Sequence, residues 1–111
     1  MADCIFCRVA SDPEAKLVYA DDDVVAFDDI NPQAPVHVLV VPRRHVVSIA
    51  ELNDGDLYAA LFAAANRVAK DRGIQESGYR TVFNVGPDAL LSVPHVHLHV
   101  LGGRWMSWPP G

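Results

Sequence analysis

The chain has 111 residues, 50% hydrophobic and 21% charged, a balance that can bury a core and argues against disorder; the length suits one domain over residues 1–111. A net charge of -5 gives no basic surface for duplex nucleic acid, and apolar runs such as 36–41, interrupted by His37, fall far short of the roughly 20 residues that cross a bilayer. Met1-Ala2-Asp3-Cys4 shows no basic region followed by a long apolar stretch, so we expect no secretory signal, a cytoplasmic location, and neither nucleic-acid nor membrane partners.

In chain order, Cys4-Ile5-Phe6-Cys7 is a C-x-x-C pair in a chain with no other cysteine, which supplies half of a tetrahedral thiolate site, a redox pair, or two free thiols. Lys16 to Ala20 and Val24 to Asp28 are short β-prone runs around the acidic turn Asp21-Asp22-Asp23, predicting a hairpin. Val36 to Val41, bracketed by Pro35 and Pro42, predicts a strand buried on both faces. Between Asn53 and Gly73, Leu57, Leu61, Phe62, Ala65, Val68 and Ala69 recur at helical spacing, with Asn53 or Asp54 as N-cap and Gly73 placed for the C-cap. Tyr79 to Val85 and Val96 to Leu101 predict two further strands. The expected fold is α+β: an antiparallel sheet of about five strands, one long helix, and a short N-terminal helix or turn.

Three of the five histidines stand at 95, 97 and 99, so in a strand His95, His97 and His99 share one face while Val96, Leu98 and Val100 take the other. Same-face neighbours lie about 7 Å apart, close enough to surround a phosphate or chelate a metal. Imidazole alone has an unperturbed pKa near neutrality, so one cluster can hold a neutral nucleophile beside proton donors. Spacing leaves two enzymes open, a phosphohistidine-forming hydrolase and a metallohydrolase with a catalytic ion.

Phe27-Asp28-Asp29-Ile30-Asn31-Pro32-Gln33-Ala34-Pro35-Val36-His37, His95 to Leu101, and Gly102-Gly103-Arg104-Trp105-Met106-Ser107-Trp108-Pro109-Pro110-Gly111 together resemble the histidine triad proteins, specifically the nucleoside phosphoramidase branch. The resemblance runs nearly end to end. It implies a histidine triad fold and a dimer, and a two-step reaction on purine nucleoside phosphoramidates or related nucleoside monophosphate conjugates. In that reaction His97 attacks the α-phosphorus and water releases the nucleotidyl group. It further implies that the His95 carbonyl fixes the His97 tautomer, that His99 and His37 serve phosphate oxygens or a proton, and that Asn84 and Ser92 hydrogen-bond the phosphate and leaving-group region. Asp29 would accept both ribose hydroxyls, with Ile5, Phe6, Val9, Phe27 and Ile30 forming the apolar slot around the purine. The same resemblance assigns Cys4, Cys7, His45 and His95 to a structural zinc ion, no metal being required for catalysis. It also implies a homodimer whose C-terminal tail lies near the partner's active site, with Trp108 shaping the leaving-group pocket; large aromatics in so small a chain suit an interface. One segment departs from the family pattern. Where the family has Gly-Gln-Ser or Gly-Gln-Thr, this chain reads Leu90-Leu91-Ser92, and leucine takes positive φ less readily than glycine. A nucleotide-binding module without turnover is the non-enzyme alternative that this replacement raises.

Overall fold

In the computed structural model, which describes residues 3–111, the elements run α1 (Ile5–Ser11), β1 (Tyr19–Ala20), β2 (Val24–Asp28), β3 (Val36–Pro42), α2 (Gly55–Asp71), β4 (Tyr79–Val82) and β5 (Leu98–Gly102). The strands form one sheet of order β1-β2-β3-β5-β4, antiparallel at every step. β3 lies at its centre and is buried along nearly its whole length, as its β-branched composition predicts.

Alternation along the strands divides the interior in two. Even-numbered Val24, Ala26, Val38, Val40, Leu98 and Val100 pack against Leu57, Leu61, Ala65 and Val68 of α2. Odd-numbered Val25, Leu39 and Val41 face the other way, where Phe6 of α1 covers them. Helix α2 begins at Asp54, whose carboxylate accepts the Leu57 amide at 3.2 Å. It ends before Gly73, whose φ of 72° is the left-handed conformation that glycine adopts cheaply. At the far end of β5 the missing side chain of Gly102 admits Ile74, whose Cδ1 would lie 2.6 Å from an added Cβ.

Three predicted strands are shorter or displaced. The predicted strand over Lys16 to Ala20 contracts to Tyr19–Ala20, because Leu17 leaves the edge to pack with the core on the α1 side. β4 stops at Val82 rather than Val85, since its last ladder partner is His99. β5 starts at Leu98 rather than Val96: the Val96 amide donates to the Val46 carbonyl at 2.7 Å, and the Pro42 carbonyl at the end of β3 accepts from the His95 side chain. His95 and His97 therefore precede the ladder, with the chain bending at 93–95.

Candidate active site

Odd-numbered positions on adjoining strands gather the chemistry on the α1 face. His99 sits opposite Leu39 and His37 opposite Leu101, which makes the two histidines diagonal neighbours across β3 and β5. Their rings meet with His37 Nε2 2.9 Å from His99 Nδ1. The Gln33 amide donates to His37 Nδ1 at 3.0 Å, so that nitrogen is bare and the proton resides on Nε2. His37 Nε2–H then donates to His99 Nδ1, which leaves the His99 proton on its own Nε2. That Nε2 is buried and has no hydrogen-bond partner among the described residues. A buried N–H without an acceptor is costly, and an anionic oxygen is the group that satisfies it best.

The complementary tautomer is set at His97. Its Nδ1–H donates to the His95 carbonyl at 2.8 Å, leaving the Nε2 lone pair unprotonated. The buried His97 ring and Phe6 meet in a T-shaped arrangement at 5.1 Å between centroids, and the His99 ring lies 5.0 Å away. One ring thus offers a lone pair and its neighbour a proton.

Burial pushes the pKa of His99 down to about 4, with the neighbouring His97 and His37 adding to the effect and Asp29 opposing it. Burial likewise lowers His37 below its ordinary value, again against the pull of Asp29, whose carboxylate is 3.4 Å from Nε2. Both rings are neutral at pH 7. Because the folded pKa of His99 lies below the unfolded value of 6.5, the unfolded chain binds more protons between pH 6.5 and about 4, and stability falls as the pH falls through that window. We expect Tm to decline from pH 7 to pH 4 and the decline to be shallower in His99→Gln; equal slopes in thermal melts of the two proteins would contradict this.

The ring of His95 does not join the other two. It turns toward the N-terminal turn, where Cys4 Sγ lies 3.2 Å and Cys7 Sγ 3.4 Å from its Nδ1, while Cys7 Sγ is 3.3 Å from His45 Nδ1. The ligand atoms of Cys4, Cys7, His45 and His95 all lie within 4.8 Å of one another. His95 Nε2–H donates to the Pro42 carbonyl at 2.9 Å, so its Nδ1 presents a lone pair to the cluster. Two thiols and two imidazoles, one fixed by a backbone acceptor behind it, are the donor set and outer support that zinc takes in closed tetrahedral sites.

The order of these parts, with a backbone-locked histidine between a metal-type cluster and a histidine pair, matches what the sequence motifs resemble. A family model described as HIT domain matches residues 11–106. The chain belongs to the HIT domain family. Among relatives of this HIT protein, the 14 kDa zinc-binding protein of Zea mays is 46% identical over 99 residues, covering 86% of this chain and 77% of that protein. Adenylylsulfatase HINT1 of Arabidopsis thaliana is 43% identical over 112 residues, covering 96% and 76%. The HIT family hydrolase from Legionella pneumophila Philadelphia 1 has a similar structure, with a TM-score of 0.93 at 44% identity over 98% of this chain and all of the other (100%).

Of the remaining predicted site residues of the HIT protein, Asp29 and Phe27 adjoin this centre, through His37 and Phe6. Asp29 follows β2 on the same face, its Oδ1 accepting the Asn31 amide at 2.9 Å in an Asx turn. Phe27 packs against Phe6 with centroids 5.5 Å apart; Ile5 and Val9 lie on α1, Ile5 exposed, and Ile30 is fully exposed at the turn. Asn84 is half-buried just beyond β4, and Ser92 lies exposed beside Cys4, Ile5 and His45 around a cavity of about 450 Å³. Sequence reading misses the Gln33 amide and the Pro42 carbonyl, which set the tautomers of His37 and His95. Backbone groups leave no residue-type signal, and only the Asn-Pro-Gln turn before β3 hints that an amide is aimed inward.

The loop 86–92 carries the departure from the family pattern into geometry. Leu90 holds φ at 61°, the left-handed region, while its side chain stays largely exposed. A non-glycine residue there costs about 1–2 kcal/mol. Leu90→Gly should stabilise the protein by about 0.5–1 kcal/mol after the added chain entropy of glycine is counted. A denaturant midpoint that fails to rise would show that the side chain compensates.

Proposed function

We propose that this protein hydrolyses purine nucleoside 5′-phosphoramidates, or related nucleoside monophosphate conjugates, through a nucleotidyl intermediate on His97. The observation that carries the reading is the pair of opposed tautomers, a bare His97 Nε2 fixed by the His95 carbonyl beside a buried, partnerless His99 Nε2–H. His97 Nε2 attacks the α-phosphorus, the bond from phosphorus to the amine breaks, and the amine departs with the electron pair and takes a proton from water. His99 Nε2–H holds a phosphate oxygen, and His37 keeps that proton in place. Water then attacks phosphorus, releasing one proton to solvent that offsets the one the amine took up, and the electron pair of the P–N bond returns to Nε2. Asp29 receives the ribose hydroxyls. Ile5, Val9, Phe27 and Ile30 line the purine slot around Phe6, and Asn84 and Ser92 face the phosphate and the leaving group. The Arabidopsis relative is named an adenylylsulfatase, which accords with attack at a nucleotidyl phosphorus.

Zinc, in this reading, is bound by Cys4, Cys7, His45 and His95 and is structural; the Zea mays relative is named for zinc binding. A cytoplasmic setting suits thiol ligands that require reducing conditions. A catalytic ion held by His95, His97 and His99 fits the rings less well, because the His95 ring faces the cysteines and His97 Nδ1 is occupied by a carbonyl. We assign the exposed Trp105 and Trp108, 97% and 81% accessible, to a homodimer interface that brings the tail near the partner's active site. Sedimentation at micromolar concentration should give twice the chain mass; a monomer sinks this part.

Mass spectrometry of protein mixed with a purine nucleoside phosphoramidate and quenched in alkaline denaturant tests the chemistry. A nucleotidyl group on the peptide carrying His97 is expected. Tight nucleotide binding with neither adduct nor turnover would favour the non-catalytic module, for which the strained Leu90 is the structural argument.

A further inference from the structure

The metal-type cluster and the nucleophile share structural parts. Helix α1 has only seven residues, too few to be stable alone, and Phe6 is its one buried side chain. Cys4 and Cys7 flank Phe6 in the first turn, so ligands on both would fix that turn to His95 and His45. The Phe6 ring meets three others, His95 at 6.0 Å, His97 at 5.1 Å and Phe27 at 5.5 Å. His95 forms a second link: its ring belongs to the cluster while its carbonyl accepts the proton that defines the His97 tautomer.

We propose that the Cys4/Cys7/His45/His95 site and the nucleotide pocket are thermodynamically coupled, each ligand raising affinity for the other, with Phe6 and the His95 main chain as the links. The proposal rests on the nucleotide reading above. When the cluster is loaded, α1 is held against β3, Phe6 supports the purine wall and the His97 ring together, and the His95 carbonyl is fixed. When it is empty, those positions depend on seven residues with one buried anchor. A nucleotide that needs Phe6 and His97 in place must then order them at its own expense, and linkage requires the reverse effect to be equal.

Zinc affinity, measured by competition with a chromophoric chelator, should rise about tenfold when a purine nucleoside monophosphate saturates the protein, within the usual range for coupled sites. Calorimetry should show the nucleotide binding more tightly to zinc-loaded than to zinc-depleted protein by the same factor. A ratio of one in both overturns the coupling while leaving the nucleotide reading intact. Failure of the zinc-loaded protein to bind any purine monophosphate overturns both. One arm avoids the metal-free state. With cobalt(II) in the site, the visible bands of its thiolate-imidazole coordination should shift on nucleotide addition, and an unchanged spectrum at saturation counts against the proposal. Phe6→Leu keeps all four ligands and should still bind zinc, yet its affinity ratio should fall toward one; an undiminished ratio would remove Phe6 as a link.

Discussion

Replacing His97 with alanine is expected to lower kcat/KM for a purine nucleoside phosphoramidate by about 10⁴-fold or more, the scale seen when a covalent nucleophile is removed. That corresponds to about 5.5 kcal/mol of transition-state stabilisation. The reason is local. Among the nearby rings only His97 is held with a bare Nε2, since the proton on its Nδ1 goes to the His95 carbonyl. His99 cannot substitute, because its bare nitrogen is consumed by His37 and its free position carries a proton. Affinity for the product monophosphate should change only a few-fold, because the proposed purine and ribose contacts lie on Phe27, Asp29 and α1. Residual turnover within tenfold of wild type in single-turnover assays would remove His97 from the nucleophile's role.

The second large effect is on stability. Cys7 touches both imidazoles of its cluster, at 3.3 Å from His45 Nδ1 and 3.4 Å from His95 Nδ1, so Cys7→Ser should eliminate zinc binding outright. Burial, reinforced by Cys4, holds the Cys7 thiol above its ordinary pKa, so the metal must expel a proton to bind, and its affinity should climb with pH. At free zinc near 1,000 times Kd, a ligand exclusive to the folded state contributes about 4 kcal/mol. For a domain of this size that corresponds to a fall in Tm of about 15 °C. Chelator treatment of the wild type should reproduce the fall, and chelator should do nothing further to Cys7→Ser. Full zinc content in the variant would remove Cys7 from the ligand set. The main core against α2 shares no residue with the cluster, so the fold itself should persist.

Sequence patterns reported the site's side chains better than their surroundings. The period-two histidines and the β-branched run around His37 predict a shared face, and the structure places His37, His97 and His99 on it with Phe27. Helix α2 was legible because its apolar spacing, acidic cap and terminal glycine agree with one another. Less legible was the bend before β5. Alternation continues unbroken through His95 and Val96, yet the ladder has already ended, because β3 closes on a proline and its last carbonyl accepts a side chain. Equal spacing therefore suggested three equivalent imidazoles, whereas that bend sends one to the cysteines. Pattern reports which face a residue occupies while the ladder lasts, and it carries no record of the backbone partners that end it.

The unequal faces of the central sheet also restrict how the chain can change length over generations. With Val38 and Val40 packed toward α2 and His37 and Leu39 toward α1, a single-residue insertion within β3 or β5 would exchange the faces of every position beyond it. Such an indel would drive an imidazole into the aliphatic core and a valine into the pocket, losing stability and chemistry together. Tolerated insertions should therefore collect in segments 12–16 and 75–77, which lie outside the ladders and hold neither a ligand of the cluster nor a cap of α2.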